Sequence, residues 1–300
     1  MEMGTETKKT IALEFRNVSL SFDERKVLSD INLTLGRGEM IFVTGLSGSG
    51  KSVLLRLAMG LERPDSGQIL IEGNDLGLLD EAELLNLRST RMGMVFQEDS
   101  LFTGLTAYDN VAFRLDEHGV SQAETDEAVK EVLQFVGLEK DAEKLPEELS
   151  GGMRRRLEIA RALIGWPPVM LFDEPASGLD PLTAIQVLDL IIRARDIYGI
   201  SSLYVTKKLD EIPYLATHRA KRSSDGVVIE EATSRLTAPQ TNVVVLERGQ
   251  VVFTGSVAEF EASSLPAVTL LTNAENGTPM SDFVTSDPWD RTRLPAERIL

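Results

Sequence analysis

Apolar positions along this chain change their spacing repeatedly, and each change predicts a different element. Residues 11–22 alternate loosely between apolar and polar side chains, which predicts an early sheet. Short apolar runs at residues 40–44, 169–172 and 202–206 are typical of buried strands, and residues 181–197 have a helical pattern. Because buried strands alternate with helices, the pattern predicts an α/β fold around a largely parallel sheet.

A different, helical pattern interrupts this alternation over about residues 98–160. Thr106 with Asp109, and Ser121 with Glu124, have the spacing of capping boxes that begin helices. After the second box, apolar residues recur every three or four positions, as on the buried face of a helix. The sequence therefore predicts a helical insertion within the α/β fold.

Two segments do not fit this alternation of predicted strands and helices. Residues 221–242 are polar and rich in turn-forming residues, and we expect a solvent-exposed hairpin, with contact to a partner as the alternative. From about residue 273 onward the chain is rich in Asn, Gly, Pro, Ser, Thr and Asp. Such a composition buries little apolar surface, so we expect this tail to be poorly ordered without a partner.

Composition and charge narrow the classes of function. The 300 residues are 42% hydrophobic, which is enough for a large core. A formal charge of −16 repels a phosphate backbone and argues against nucleic acid as a partner. The chain contains no cysteine, no apolar run of the roughly 18 residues that span a membrane, and no apolar signal core at the N-terminus. We expect a soluble, cytoplasmic protein whose membrane association depends on a partner.

A glycine-rich segment between a predicted strand and a predicted helix supplies the first candidate chemistry. Gly-Leu-Ser-Gly-Ser-Gly-Lys-Ser, from Gly45 to Ser52, fits the phosphate-loop pattern G-x-x-x-x-G-K-S. Its small residues let backbone N–H groups surround phosphates, Lys51 reaches the β- and γ-phosphates, and Ser52 can join a Mg²⁺ shell. The helix that follows adds the positive end of its dipole. The predicted nucleotide-contacting residues are Gly45, Leu46, Ser47, Gly48, Ser49, Gly50, Lys51, Ser52 and Val53.

Two carboxylates follow the apolar run at residues 169–172. A buried strand delivers Asp173 to the carboxyl edge of the sheet, where it can hold Mg²⁺ beside the phosphate loop. Glu174, one residue further, is placed to polarise an attacking water as a general base. The alternative is that the two carboxylates simply end a strand and have no catalytic role. A phosphate loop in the same chain disfavours this alternative.

The segment Leu149-Ser150-Gly151-Gly152-Met153 resembles the signature motif of the ABC ATPase family. Ser150 can cap the next helix, and the glycines allow a phosphate to approach its start. The resemblance covers about residues 12–256. It implies an α/β P-loop NTPase (RecA-like) core, an N-terminal antiparallel β subdomain and an inserted α-helical signature subdomain. The ATPase domain would span residues 1–256, and residues 257–300 would form an extension.

The resemblance also implies partners and further site residues. ATP with Mg²⁺ would lie between the phosphate loop of one subunit and the signature (Ser150, Gly151, Gly152) of a second copy, and a separate integral membrane permease would complete the assembly. Gln97 matches the Q-loop glutamine that senses the γ-phosphate and Mg²⁺, Asp180 lies in the D-loop, and Phe22 has the place of the aromatic that stacks on adenine. A core strand residue is the alternative for Phe22.

One position departs from the family pattern. Lys207 stands where the family has a histidine that contacts the γ-phosphate and organises the general base. A lysine supplies charge but lacks the paired donor and acceptor of an imidazole. We therefore expect retained ATP binding, with hydrolysis that is slow or dependent on the partner.

The branch of the family is less sharply indicated. Residues 93–111, residues 145–148 and the run from Met153 to Arg156 resemble ATPases of Mla/MCE-type lipid transporters, which would add an MCE-domain protein as a partner and place the chain at the inner membrane. Amino-acid and other small-solute importers share much of this region and are the alternative. A non-transport ABC ATPase is disfavoured by the single signature and the acidic charge. A cassette that binds ATP without turnover is disfavoured by Glu174, but Lys207 keeps it open as an alternative.

Overall fold

The computed structural model describes residues 10–224, 226–232 and 240–274. Residues 1–9, most of the tail that begins near residue 273, and residues 225 and 233–239 of the polar segment lie outside the described residues. The strands are β1 Ile11–Phe22, β2 Arg25–Gly36, β3 Met40–Thr44, β4 Ser66–Ile71, β5 Asn74–Asp75, β6 Met92–Val95, β7 Val169–Asp173, β8 Ser201–Val205, β9 His218–Ser223, β10 Gly226–Glu231, β11 Thr241–Glu247 and β12 Gln250–Ser256.

The helices connect these strands and cover the sheets. They are α1 Lys51–Ala58, α2 Glu81–Arg91, α3 Ala107–Glu117, α4 Gln122–Phe135, α5 Gly151–Leu163, α6 Pro181–Tyr198, α7 Glu211–Thr217, α8 Val257–Glu261 and α9 Pro266–Ala274. Both predicted capping boxes are present, at Thr106 before α3 and at Ser121 before α4. Within the described residues no helix combines the length and apolarity needed to cross a membrane.

The larger sheet has the strand order β12-β11-β3-β8-β7-β6 in the part of the chain that the structure describes. Strands β11, β3, β8, β7 and β6 run parallel to one another, and β12 pairs antiparallel to β11. Carboxyl ends of parallel strands share one edge, where α/β folds bind ligands. The segments that follow β3, β8, β7 and β6 therefore begin at one edge of the molecule.

Two hydrophobic cores lie on the two faces of this sheet. Along β3, Phe42 packs into the core shared with α3 to α7, whereas Ile41 and Val43 pack into the core shared with α1 and the smaller sheet. This alternation follows from the two-residue period of a strand, and burial on both faces explains the continuous apolar runs in the sequence. The smaller sheet is antiparallel with the order β2-β1-β4-β5, which confirms the predicted fold class with its N-terminal β subdomain.

The polar segment that begins at residue 221 contributes to the predicted hairpin, which β9 and β10 form, but the hairpin is solvent-exposed on one face only. Ala220, Val227 and Ile229 are buried and belong to the core that contains α6. Asp196 of α6 also accepts a hydrogen bond from the N–H of Ala220, at 2.7 Å. Charged residues alternate with these apolar ones, and they lower the average hydrophobicity of a hairpin that has one buried face.

Candidate nucleotide site

The loop from Gly45 to Ser52 connects β3 to α1 and has the backbone of an anion cradle. Gly45 and Gly50 both have positive φ, of 148° and 104°. A Cβ on Gly45 would collide with the carbonyl of Leu246, and one on Gly50 would lie 2.6 Å from the Leu28 side chain. Only glycine fits these positions, so the loop is held closely against its neighbours in the conformation in which backbone N–H groups can surround a phosphate.

Lys51 begins α1 and lies almost entirely buried beneath this loop. Its Nζ donates to the carbonyl oxygens of Gly45, at 2.6 Å, and Leu46, at 3.0 Å. Burial lowers the pKa of Lys51, and the nearby charge of Lys207 lowers it further, while Glu174 and Asp173 act in the opposite direction. The ammonium group is therefore fixed in the cradle, in the position from which it can meet phosphate oxygens.

Asp173 ends β7 and provides a fit for Mg²⁺. The Ser52 side chain lies near its carboxylate, yet the Oδ1 atom of Asp173 is buried without a hydrogen-bond partner. Burial raises the pKa of Asp173, opposed by the Ser52 hydrogen bond. Because a buried oxygen without a partner costs free energy, this atom favours a cation ligand. Ser52 and Asp173 together fit Mg²⁺, which prefers hard oxygen donors.

Glu174 is the next residue, and its carboxylate pairs with Lys207. The Lys207 Nζ lies 2.6 Å from Glu174 Oε1, and its side chain remains 42% exposed. Glu174 is nearly buried and has a φ of 47°, which is uncommon for a residue other than glycine. Its N–H donates to the carbonyl of Val205, at 2.9 Å. Strand β8 lies between β3 and β7, and for this reason Lys207, two residues after β8, pairs with Glu174 and lies close enough to Lys51 for their charges to interact.

Gln97 follows β6, the neighbour of β7, and its side chain is exposed. Its backbone is held by Arg155 of α5, which donates to the carbonyls of Phe96, at 2.6 Å, and Gln97, at 2.9 Å. Arg155 is buried and pairs with Glu158 at 2.7 Å. Sequence reasoning missed this link between the Q-loop and the signature helix, although an Arg and a Glu three residues apart on one helix was the available signal.

The signature residues lie at the start of α5. Ser150 caps the helix by accepting from the N–H of Met153, at 3.3 Å. Ser150 and Gly151 are exposed, and a Cβ on Gly151 would meet nothing within 4 Å, whereas one on Gly152 would collide with Thr183. The segment therefore presents a capped helix start with open space before it.

Phe22 and Asp180 lie on other elements. Phe22 ends β1 and is 41% exposed, which fits a stacking platform better than a core position. Asp180 caps α6 by accepting from the N–H of Thr183, at 3.1 Å, and its hydrogen bonds with Thr183 lower its pKa. The sheet edge thus assembles the phosphate loop, Asp173, Glu174 and Lys207, while Phe22, Asp180 and the signature are supplied from elsewhere.

This arrangement defines the class as a nucleotide-binding P-loop cassette, and comparison with known proteins gives the family. A model described as "ABC transporter" matches residues 28–177. The chain belongs to the ABC transporter family.

Similar sequences are ATP-binding subunits of importers. The methionine import ATP-binding protein MetN of Corynebacterium diphtheriae is 39% identical over 237 residues, covering 77% of this chain and 69% of that protein. The protein of the same name from Leifsonia xyli is 37% identical over 260 residues, covering 86% of this chain and 68% of that protein.

Solved structures of similar fold are also cassettes. The ATP-binding cassette MJ0796, as a dimer in a post-hydrolysis state with ADP and phosphate, superposes with a TM-score of 0.68 at 27% identity, covering 82% of this chain and 98% of that one. CbiO1 of Clostridium perfringens superposes with a TM-score of 0.71 at 25% identity, covering 88% and 100%. The chain is an ABC ATPase that binds ATP with Mg²⁺ and hydrolyses it to drive transport.

Proposed function

We propose that this chain energises an importer for an amino acid or a comparable small solute, as the ATPase subunit beside a separate membrane permease. The observation that carries the proposal is the similarity to methionine import proteins, at 37–39% identity over most of the cassette. The chain would then act at the cytoplasmic face of the inner membrane, held there by its permease.

A second candidate is the transport of phospholipid with an MCE-domain protein. Its support is the resemblance of residues 93–111 to Mla/MCE-type ATPases. The similarity to the methionine import proteins extends over a much longer part of the chain and favours the amino-acid importer. The cargo is selected by the permease, so experiments on the complete complex separate the two.

In hydrolysis, we assign the loop N–H groups and Lys51 to the triphosphate and Glu174 to the attacking water. When bound, Mg²⁺ supplies positive charge that offsets the charge of the phosphates, and Ser52, Asp173 and Gln97 are the residues that would hold it. Glu174 accepts a proton from the water as general base. Positioning and charge stabilisation in a closed site supply most of the catalysis.

A second copy of the chain would complete this site. Ser150, Gly151 and Gly152 of one copy would approach the γ-phosphate held by the other, and Asp180 would contact the same interface. The open space in front of Gly151 supports this arrangement, as does the dimeric state of the similar cassette MJ0796. Phe22 would stack on the adenine.

Lys207 would give this chain its own turnover behaviour. Its ammonium neutralises the Glu174 carboxylate at 2.6 Å, so the proposed base is paired before it acts. A neutral imidazole at this position would both donate and accept without holding a permanent charge. Hydrolysis is therefore expected to be slow, or to depend on the permease.

The permease would dock beside Gln97. Phe96, Phe102 and Phe113 are large apolar residues that remain between 36% and 42% exposed, and the rings of Phe102 and Phe113 lie 4.7 Å apart. Exposed aromatic residues close to a γ-phosphate sensor suit a short amphipathic helix of a membrane partner.

The test is reconstitution with a permease that copurifies with the tagged chain. Tagged chain and permease would be purified together into proteoliposomes, and uptake of radiolabelled methionine and other amino acids compared with transfer of labelled phospholipid. ATP-dependent uptake of an amino acid that Glu174→Gln abolishes is the expected result. Phospholipid transfer without amino-acid uptake would replace the proposal by the second candidate.

A further inference from the structure

Glu211 is a buried carboxylate that the proposed chemistry does not use. It lies in the first turn of α7 and is 1% exposed. One of its oxygens, Oε2, accepts hydrogen bonds from the hydroxyl of Tyr204, at 2.8 Å, and from that of Thr206, at 2.7 Å. Burial raises the pKa of Glu211 to about 7, opposed by these two hydrogen bonds.

Thr206 connects this carboxylate to the segment that carries Lys207. Its Oγ1 donates to Glu211 and accepts from the N–H of Lys208, at 2.9 Å. The N–H of Glu211 donates a hydrogen bond to the carbonyl of Lys208, at 3.4 Å. These contacts close a short loop around Lys207, which therefore has its backbone fixed on both sides.

The same loop also contacts residues 174–176, the segment that contains the proposed general base. Lys207 Nζ pairs with Glu174 at 2.6 Å, and Lys208 Nζ donates to the carbonyl of Ala176, at 3.2 Å. Two consecutive lysines thus reach two points of residues 174–176. A shift in the loop that presents them would change both contacts.

We propose that Glu211 is a positioning residue, which acts through the Thr206 hydroxyl to place Lys207 opposite Glu174. The inference rests on the proposed roles of Glu174 and Lys207. A carboxylate at 211 takes the single proton of the Thr206 hydroxyl, which leaves the hydroxyl oxygen free to accept from Lys208. The ion pair at the reaction site then depends on a group that never touches the nucleotide.

A merely structural role predicts a different outcome. Glu211 also joins β8 to α7 through Tyr204, and a satisfied buried network of this kind stabilises a core without affecting a neighbouring loop. Tyr204→Phe and Thr206→Val each remove one hydroxyl from the same carboxylate oxygen. Only the second change breaks the path to Lys207, so the pair forms a matched comparison.

The experiment reads the Lys207 ion pair directly, on the full chain. Lysines would be dimethylated with ¹³C, and the Lys207 NMR signal assigned by its loss in Lys207→Arg. Glu174→Gln should move that signal, Thr206→Val should move it towards the Glu174→Gln position, and Tyr204→Phe and Thr206→Ser should leave it. Glu211→Leu, which removes the acceptor, replaces Thr206→Val if that variant does not fold, and it should move the signal in the same way.

Kinetics supply a second readout. Thr206→Val should lower single-turnover hydrolysis about tenfold with unchanged ATP affinity, because it displaces Lys207 without supplying another group that organises Glu174, and Thr206→Ser should restore it. The inference is overturned if the Lys207 signal ignores Glu174→Gln, or if Thr206→Val and Tyr204→Phe act alike on it. A displaced signal with unchanged hydrolysis in Thr206→Val would instead overturn the proposed role of Lys207 in turnover. Because the NMR readout needs no turnover, failure of the proposed function and failure of this inference are distinguishable.

Discussion

The phosphate-loop end and the signature end of this cassette are built differently. At the first, charged groups are joined within the chain: Lys51 bonds to the loop at 2.6 Å and Lys207 pairs with Glu174 at 2.6 Å. At the second, Ser150 caps the start of its own helix by accepting a hydrogen bond from the N–H of Met153, and the space before Gly151 is open. The chain therefore contains a prepared anion site and, separately, a helix start suited to a phosphate that another molecule brings.

This difference explains why one folded chain is not the whole catalyst in our account. The phosphate-loop end supplies charge and the proposed base, so it can bind ATP alone. In the proposed function, the signature end would contribute only when a second copy closes over the nucleotide. Substitutions at the two ends should then have separable effects on binding and on turnover.

The largest expected effect follows from Glu174→Gln, which removes the proposed base but keeps the shape. Hydrolysis should fall by about 10³-fold, within the range for loss of general base catalysis, while ATP binding persists. Steady-state turnover and size-exclusion chromatography with ATP would show an inactive, trapped dimer. The exposed Glu231→Gln is the control, and intact hydrolysis in Glu174→Gln would remove Glu174 from the mechanism.

Gly151→Asp should affect turnover nearly as strongly and leave the fold alone. A Cβ at position 151 meets nothing within 4 Å in its own chain, yet the added charge would face the γ-phosphate held by the partner copy, so turnover should fall by about 100-fold. ATP affinity and the thermal midpoint should not change. Gly152→Ala is the contrast, since its Cβ collides with Thr183 and should cost stability. A turnover equal to that of the wild type in Gly151→Asp would show that the signature does not take part in the catalytic site.

Lys207→His should raise turnover in the assembled complex by about fivefold, because an imidazole frees Glu174 from its ion pair while still organising it. The measurement is kcat of the reconstituted complex, with Lys221→His on the β9–β10 hairpin as the control. Unchanged kcat would show that the lysine does not limit the rate.

The smallest effect is expected from Phe22→Ala, which removes the proposed adenine platform. ATP affinity should fall about fivefold, or about 1 kcal/mol, while Phe22→Tyr keeps the ring and the affinity. Calorimetric titration of both variants would measure this. Leu78→Ala, at a position that is 82% exposed, is the control for loss of an exposed apolar side chain. An ATP affinity of Phe22→Ala equal to that of the wild type would show that Phe22 is only a residue of its strand and does not bind adenine.

Local features of the molecule could be predicted from the sequence, and long-range ones could not. The phosphate loop and the caps at Thr106 and Ser121 depend on neighbouring residues, so their patterns are complete in a short window. The ion pair of Lys207 with Glu174 depends on β8 lying between β3 and β7, and strand order is not written in any one segment. The buried face of the β9–β10 hairpin was missed for a related reason, because it is visible only once α6 is in place.

The most direct test of two copies sharing one nucleotide is complementation. Lys51→Ala damages the phosphate-loop end and Gly151→Asp the signature end, and each homodimer should be inactive. Mixed dimers would contain one site with both ends intact, so an equal mixture should recover about one quarter of wild-type ATPase activity. An equal mixture that forms dimers and stays as inactive as its components would contradict a site built from two chains.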